Sequence, residues 1–168
     1  SFDDFELSRI QEADKEMQDI FKLIRVNTEA NTPSELLKTV RVEKMCNRTG
    51  FVIIDHAGRM RSDSRARSDY ERMSEIANAL KDIAISVDVP MLVLWQLNRG
   101  VEKTQDKKPT MADLRDSGQA EEVADSIILL YRDNYYSRDI PMQFATVTAT
   151  VAKVRDGGQL GDVQFPWL

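Results

Sequence analysis

Three short stretches carry residues that could do chemistry if a fold held them in place. Phe51-Val52-Ile53-Ile54 is an apolar run stopped by Asp55. Met91-Leu92-Val93-Leu94-Trp95 is a second run, closed by Gln96. Lys153-Val154-Arg155 leaves an alternating stretch and enters Asp156-Gly157-Gly158. If the two runs are parallel strands, both polar residues stand beyond carboxyl ends, the edge where open parallel sheets bind ligands. A carboxylate there can hold a magnesium ion through water beside a nucleotide. An aspartate that caps the next turn has the same signature. A neutral amide can sense a terminal phosphate or position an attacking water, and a solvated strand end reads alike. A rigid guanidinium at a hairpin tip can reach a neighbouring subunit's phosphates; the alternative is an exposed hairpin with ordinary basic residues. His56 follows Asp55, but one histidine without cysteine partners reads as a hydrogen-bonded loop residue rather than a metal ligand.

The elements that must position these residues follow from periodicity and punctuation. Ile10, Ala13, Met17, Ile20 or Phe21, and Ile24 recur at helical spacing, which predicts a helix over 4–24. Thr32-Pro33-Ser34-Glu35 reads as a helix start: a capping threonine, proline at the first position and glutamate completing a capping box. Leu36, Leu37, Val40 and Met45 give that helix a buried face up to about Arg48, with Gly50 ending it. The run at 51–54 needs cover on both faces, as a central parallel strand does. Residues 58–69 form a polar loop. Tyr70, Met73, Ile76, Leu80, Ile83 and Val87 mark the clearest amphipathic helix, ended by Pro90. Met91–Trp95 is a second buried strand, 97–119 a polar loop, and 126–131 a third strand. Residues 145–152 alternate as a fourth strand, 156–158 turn, and 162–165 return as a fifth. Helix and strand alternate at the front and strands follow one another at the end. That order predicts a parallel α/β sheet with a C-terminal antiparallel hairpin.

The chain has 168 residues, 42% of them hydrophobic, enough for one domain with a single core. No run approaches the ~20 apolar residues of a membrane span, and no signal peptide is expected. The single cysteine, Cys46, excludes an intrachain disulfide or a cysteine zinc cluster and fits a reducing, cytoplasmic setting. Lys and Arg number 23 against 28 Asp and Glu, a net charge of −5, so a uniformly basic nucleic-acid coat is excluded while local basic loops are not. The charge is uneven: residues 1–21 hold seven acids against two bases, whereas 59–72 hold five arginines against three acids.

The stretch WQLNRGVEKTQDKKPTMADLRDSGQAEEVADSIILLYRDNYY closely resembles the DnaB-type replicative ring helicases, whose motor domain is RecA-like. The matching pieces are Gln96–Arg99, Val101-Glu102, Lys108-Pro109, Asp113–Gly118, Ala124-Asp125 and Tyr131-Arg132, with Lys153, Arg155 and Gly157 as a downstream KxRxG. The match runs over about residues 50–165 in order and spacing. The resemblance implies a RecA-like parallel-core sheet with flanking helices and a C-terminal hairpin. It implies ATP and Mg2+ as cofactors, single-stranded DNA as partner, a homo-hexamer, and a primase or helicase loader as a candidate further partner. Asp55 would be the Walker B acid that holds magnesium, and Gln96 the phosphate sensor. Arg115, Asp116 and Gly118 would fall on the loop that tracks single-stranded DNA. Arg155 would be an arginine finger acting in trans, with Lys153 beside it. The arginines at 59, 61, 65 and 67 could form a second channel loop; with Asp63 and Asp69 among them, a solvated loop is the alternative.

Departures from the family pattern look like a divergent, phage-like branch. DLRESG is DLRDSG here, IEQDAD is AEEVAD, His56-Ala57-Gly58 follows Asp55, and the hairpin after Arg155 is one residue longer than the common form. The 168 residues contain no G-x-x-x-x-G-K-[ST]. A backbone cradle for phosphates is indispensable to nucleotide binding, so residues 1–168 are expected to be a partial motor domain missing its P-loop portion and inactive alone. Two other classes remain: a non-helicase RecA-like ATPase, against which DLRDSG and YRDNYY argue, and an ATPase-dead module that docks on a helicase ring.

Overall fold

The computed structural model of the protein describes residues 3–97, 107–115, 119–136, 141 and 144–167. They fall into two units, Ser1–Ala30 and Asn31–Leu168. The first unit is the helix α1, Asp4–Phe21. Asp3 and Glu6 form a reciprocal capping box, with bonds of 2.7 and 3.0 Å. Together they satisfy two of the donors a helix start leaves open. The helix ends three residues earlier than its apolar spacing suggests, because Leu23 and Ile24 donate back to Ile20 and Phe21 in tight turns. Ile10, Met17, Ile20 and Phe21 are exposed.

In the second unit α2, Pro33–Asn47, starts as its sequence predicts. Thr32 accepts from the Glu35 N–H at 3.3 Å and the Glu35 carboxylate accepts from the Thr32 N–H at 3.1 Å. It stops at Arg48, which takes a left-handed φ of 56°, two residues before Gly50. Val40 is buried and Leu36 and Leu37 are half-buried, but Met45 is exposed. Five residues beyond Val40, Met45 has rotated about 140° off the core-facing stripe.

Strand β1, Val52–Ile54, pairs in parallel with β2, Met91–Val93, in the register Val52↔Met91, Ile53↔Leu92, Ile54↔Val93. Between them runs α3, Asp69–Val87, capped by Ser68. Met73, Ile76, Ala77, Leu80, Ile83 and Val87 form its buried stripe. Tyr70, expected on that stripe, lies exposed in the first turn. Two clusters make the core. Ala57, Met60, Met73, Ile76 and Leu80 pack with Ile54, Val93 and Trp95; Val40, Ile83, Val87 and Val89 pack with Val52 and Met91. The helices thus cover one face of the parallel pair. Ile53 and Leu92 point to the other face and are exposed, so the expected cover on both faces is not present among the described residues.

Ile76 is fully buried at the centre of the first cluster. Ile76→Ala in the full-length protein is expected to cost about 2–5 kcal/mol, and Ile76→Val about 0.5–1.5 kcal/mol. Denaturant midpoints at constant slope measure both. An alanine variant no weaker than the valine variant would contradict this placement of the core.

The remaining strands form an antiparallel sheet in the order β3 (Ser126–Arg132), β4 (Thr146–Val154), β5 (Gly161–Pro166). The third strand therefore pairs with the hairpin and extends it to three strands. A register shift falls between Ile127 and Ile128. Short helices α4 (Ala112–Arg115) and α5 (Ala120–Val123) precede β3, and α6 (Asp133–Tyr136) follows it. Gly157, at φ 78°, makes the β4–β5 turn in a conformation that side chains other than glycine adopt at a cost.

Candidate functional site

Asp55 and Gln96 stand at one edge. The parallel register carries β1 and β2 out side by side. Beyond it the Leu94 N–H donates to Ile54 O at 2.9 Å and the Ala57 N–H to Leu94 O at 3.0 Å. Asp55 follows Ile54 directly, and Gln96 lies three residues past Val93. Both side chains are exposed, and neither hydrogen-bonds to another described residue. The 3-10 turn Ala57–Arg59 that follows has no side-chain cap, so Asp55 does not serve as one. A carboxylate and an amide left open at the carboxyl edge of a parallel pair suit a ligand from outside the chain. Among the described residues there is no cluster of three or more His, Cys, Asp or Glu. That fits magnesium, which is commonly bound by one or two carboxylates together with waters and substrate phosphates. Asp55 is the residue that would hold it. His56 is half-buried, and its Nδ1 has no partner among the described residues.

Lys153 and Arg155 lie on the antiparallel sheet, and their contacts do not include Asp55 or Gln96. Lys153 Nζ donates to the carbonyls of Glu121 and Glu122 at 2.6 and 3.2 Å. Arg155 donates from Nη2 to Glu122 O at 2.9 Å and from Nη1 to Asp125 Oδ1 at 3.0 Å. Its backbone N–H donates to Asp125 O at 2.8 Å. Lys81 of α3 closes on the other Asp125 oxygen at 2.5 Å. The Lys81 hydrogen bond, foremost, holds the Asp125 carboxyl below its ordinary range; partial burial opposes this, and the charges of Lys81, Arg155 and Lys153 add to it. Within one chain the residues singled out from sequence thus form two groups, Asp55 with Gln96 and Lys153 with Arg155.

Of the DLRDSG stretch, Asp113 to Arg115 are described. Asp113 accepts from Thr110 N–H and Oγ1–H, both at 2.7 Å, and Leu114 is buried, which docks the start of the segment. Arg115 closes α4. Asp116 and Gly118 lie outside the described residues, as do Arg99, Val101 and Glu102. On the far side, Asn78 of α3 donates to Gln119 Oε1 at 2.6 Å, so α3 grips the chain where it leaves that segment. Sequence reasoning misses Lys81 and Asn78. Their signal is a polar pair three residues apart, on a helix whose apolar stripe is elsewhere.

The loop after Asp55 is pinned. Asp63 accepts from Ser34 N–H and Oγ–H at 3.0 and 2.9 Å, Glu75 accepts from Ser62 and Ser64, and Arg72 donates to Met60 O at 2.6 Å and pairs with Asp69 at 2.8 Å. The two aspartates expected to neutralise the loop are therefore engaged elsewhere. The side chains of Arg59, Arg61, Arg65 and Arg67 have no acidic partner among the described residues.

Fold and site together define a RecA-like nucleotide-motor domain. The chain belongs to the DnaB-like helicase C terminal domain family, whose match covers residues 1–168. It is 34% identical over 143 residues to the replicative DNA helicase DnaB of Geobacillus stearothermophilus, covering 82% of this chain and 31% of that one. It is 37% identical over 125 residues to the replicative DNA helicase DnaC of Bacillus subtilis (strain 168), covering 74% and 27%. Among solved structures it resembles a DnaB-like replicative helicase described with its interactions with primase, at TM-score 0.76 and 33% identity over 85% of this chain and 34% of that one. It also resembles a second solved structure, an isolated ATPase domain, at TM-score 0.73 and 35% identity over 81% and 48%. The chain spans under a third of the length of these two curated relatives. No described helix is long and apolar enough to cross a membrane.

Proposed function

We propose that this chain is part of the motor domain of a hexameric, ATP-dependent replicative DNA helicase, which moves along single-stranded DNA and separates the duplex in the cytoplasm. The observation that carries the reading is the pair of open polar ends, Asp55 and Gln96, on one sheet edge of a chain that belongs to a helicase family. Asp55 would hold magnesium, which supplies charge neutralisation at the phosphates. Gln96 would feel the terminal phosphate at the same edge. Arg155, with Lys153 beside it, would face a nucleotide held by the adjoining subunit, since neither contacts Asp55 or Gln96 in its own chain. The phosphate-cradling loop would be supplied from outside these 168 residues. A primase or a helicase loader is the further partner this reading allows.

Arg115, Asp116 and Gly118 would meet the DNA backbone, which gives affinity without sequence reading. Arg115→Ala in the full-length protein is therefore expected to weaken single-stranded DNA binding about equally on two unrelated oligonucleotides. The slope of log affinity against log salt should fall by roughly 0.7, the loss of one phosphate contact on single strands. Titrations at several salt concentrations, with nucleotide present, measure this. An unchanged affinity and slope would take residues 113–118 out of the DNA path.

A further inference from the structure

Arg155 is held at three points by a short stretch of its own chain. Its backbone N–H bonds to Asp125 O, Nη1 to the Asp125 carboxylate and Nη2 to Glu122 O. The carboxylate is itself anchored, because Lys81 on α3 takes its second oxygen. A guanidinium has five N–H donors in a rigid fork. Two are spent on these partners, which fixes the plane of the fork and leaves three donors to point away from the hairpin. The Arg155 and Asp125 side chains are 47% and 56% exposed. A pair so open to water adds little to stability. Its consequence is orientation.

We propose that Asp125 is a positioning residue for Arg155. With Glu122 O as second prop, it sets the direction in which the guanidinium leaves the β4–β5 hairpin, and Lys81 ties that direction to α3. This rests on the reading of Arg155 as the group that reaches a neighbouring subunit's nucleotide. The same props connect the guanidinium to the end of the DLRDSG segment. Glu121 and Glu122, whose carbonyls receive Lys153 and Arg155, lie in α5, and α5 begins directly after Gln119, which Asn78 of α3 holds. Pre-orientation of a group that acts on developing charge appears in turnover rather than in substrate binding.

The test is steady-state ATP hydrolysis by the full-length protein with single-stranded DNA present, comparing wild type, Asp125→Ala, Asp125→Glu, Arg155→Ala and the Asp125→Ala/Arg155→Ala double variant. Asp125→Ala is expected to lower kcat by about 10- to 100-fold, the scale of a misplacement of about 1 Å. KM for ATP should stay within about twofold and the thermal midpoint should hardly move. Asp125→Glu, which keeps the charge, should recover part of the loss. In the Arg155→Ala background, removal of Asp125 should cost nothing further, because the group it positions is gone. If Arg155→Ala cripples turnover while Asp125→Ala leaves kcat unchanged, the positioning role is overturned and the reading of Arg155 stands. A full additional loss in the double variant overturns it too, since Asp125 would then act through something else. Near-normal turnover in Arg155→Ala removes both the reading of Arg155 and this inference.

Discussion

Arg155→Ala in the full-length protein should bind ATP nearly as wild type does and turn it over about 10³-fold more slowly, or worse, the scale of an arginine finger supplied in trans. The guanidinium sits where β4 enters its glycine turn, among Glu122 and Asp125, and touches neither Asp55 nor Gln96. It cannot therefore contribute to the grip that its own sheet edge has on a nucleotide, and binding should survive its loss. A group that reaches developing charge from an adjoining subunit acts mainly in the transition state, so kcat and kcat/KM should fall together. Nucleotide titration followed by single-turnover hydrolysis separates the two quantities. A large loss of ATP affinity with unchanged chemistry would place Arg155 in ground-state binding instead.

The second large effect is expected at Asp55. Its carboxylate is exposed, bonds to no described residue and follows Ile54 at the carboxyl edge of the parallel pair. Nothing in the surrounding structure depends on it, so Asp55→Ala should fold with an unchanged thermal midpoint. Losing a magnesium ligand should remove several kcal/mol of charge stabilisation, a fall in turnover of about 10²-fold or more. Raising the magnesium concentration should recover part of the activity of Asp55→Ala and none of that of Arg155→Ala. If magnesium dependence is the same in Asp55→Ala as in wild type, Asp55 is not the ligand.

Both groups are visible in the sequence for a local reason. A polar residue that stops a buried strand, or a guanidinium that enters a glycine turn, shows in four or five consecutive residues. The start of α2 is legible for the same reason, since Thr32, Pro33 and Glu35 act on one another within a single turn. What lies beyond the sequence depends on distant partners. Lys81 meets Asp125 across 44 residues and Arg155 meets it across 30, and no spacing rule connects them. In the sequence Asp125 is a motif residue without a role, because its role is the pair of cations it joins. The strand at 126–131 reads equally well as parallel or antiparallel; it joins the hairpin because the run after Ala145 is long enough to pair on both sides, with β3 and with β5. Periodicity misplaces Met45 and Tyr70 because each lies at the end of a helix, where the apolar stripe has rotated away from the core or has not begun to face it. Of the DNA-facing segment, the sequence suggests Arg115, Asp116 and Gly118, and the described structure reaches Arg115 alone.

The most direct measurement mixes two defective proteins. Asp55→Ala and Arg155→Ala subunits of the full-length protein are each expected to form nearly inactive rings. In a head-to-tail ring of both, about one interface in four at equal mixing joins an intact Asp55 on one subunit to an intact Arg155 on the next. DNA-stimulated ATP turnover should therefore rise well above that of either parent, in proportion to the rings shown to be mixed. Turnover that stays at the parental level at every ratio, with mixed rings confirmed, would contradict an ATP site shared between Asp55 of one subunit and Arg155 of its neighbour.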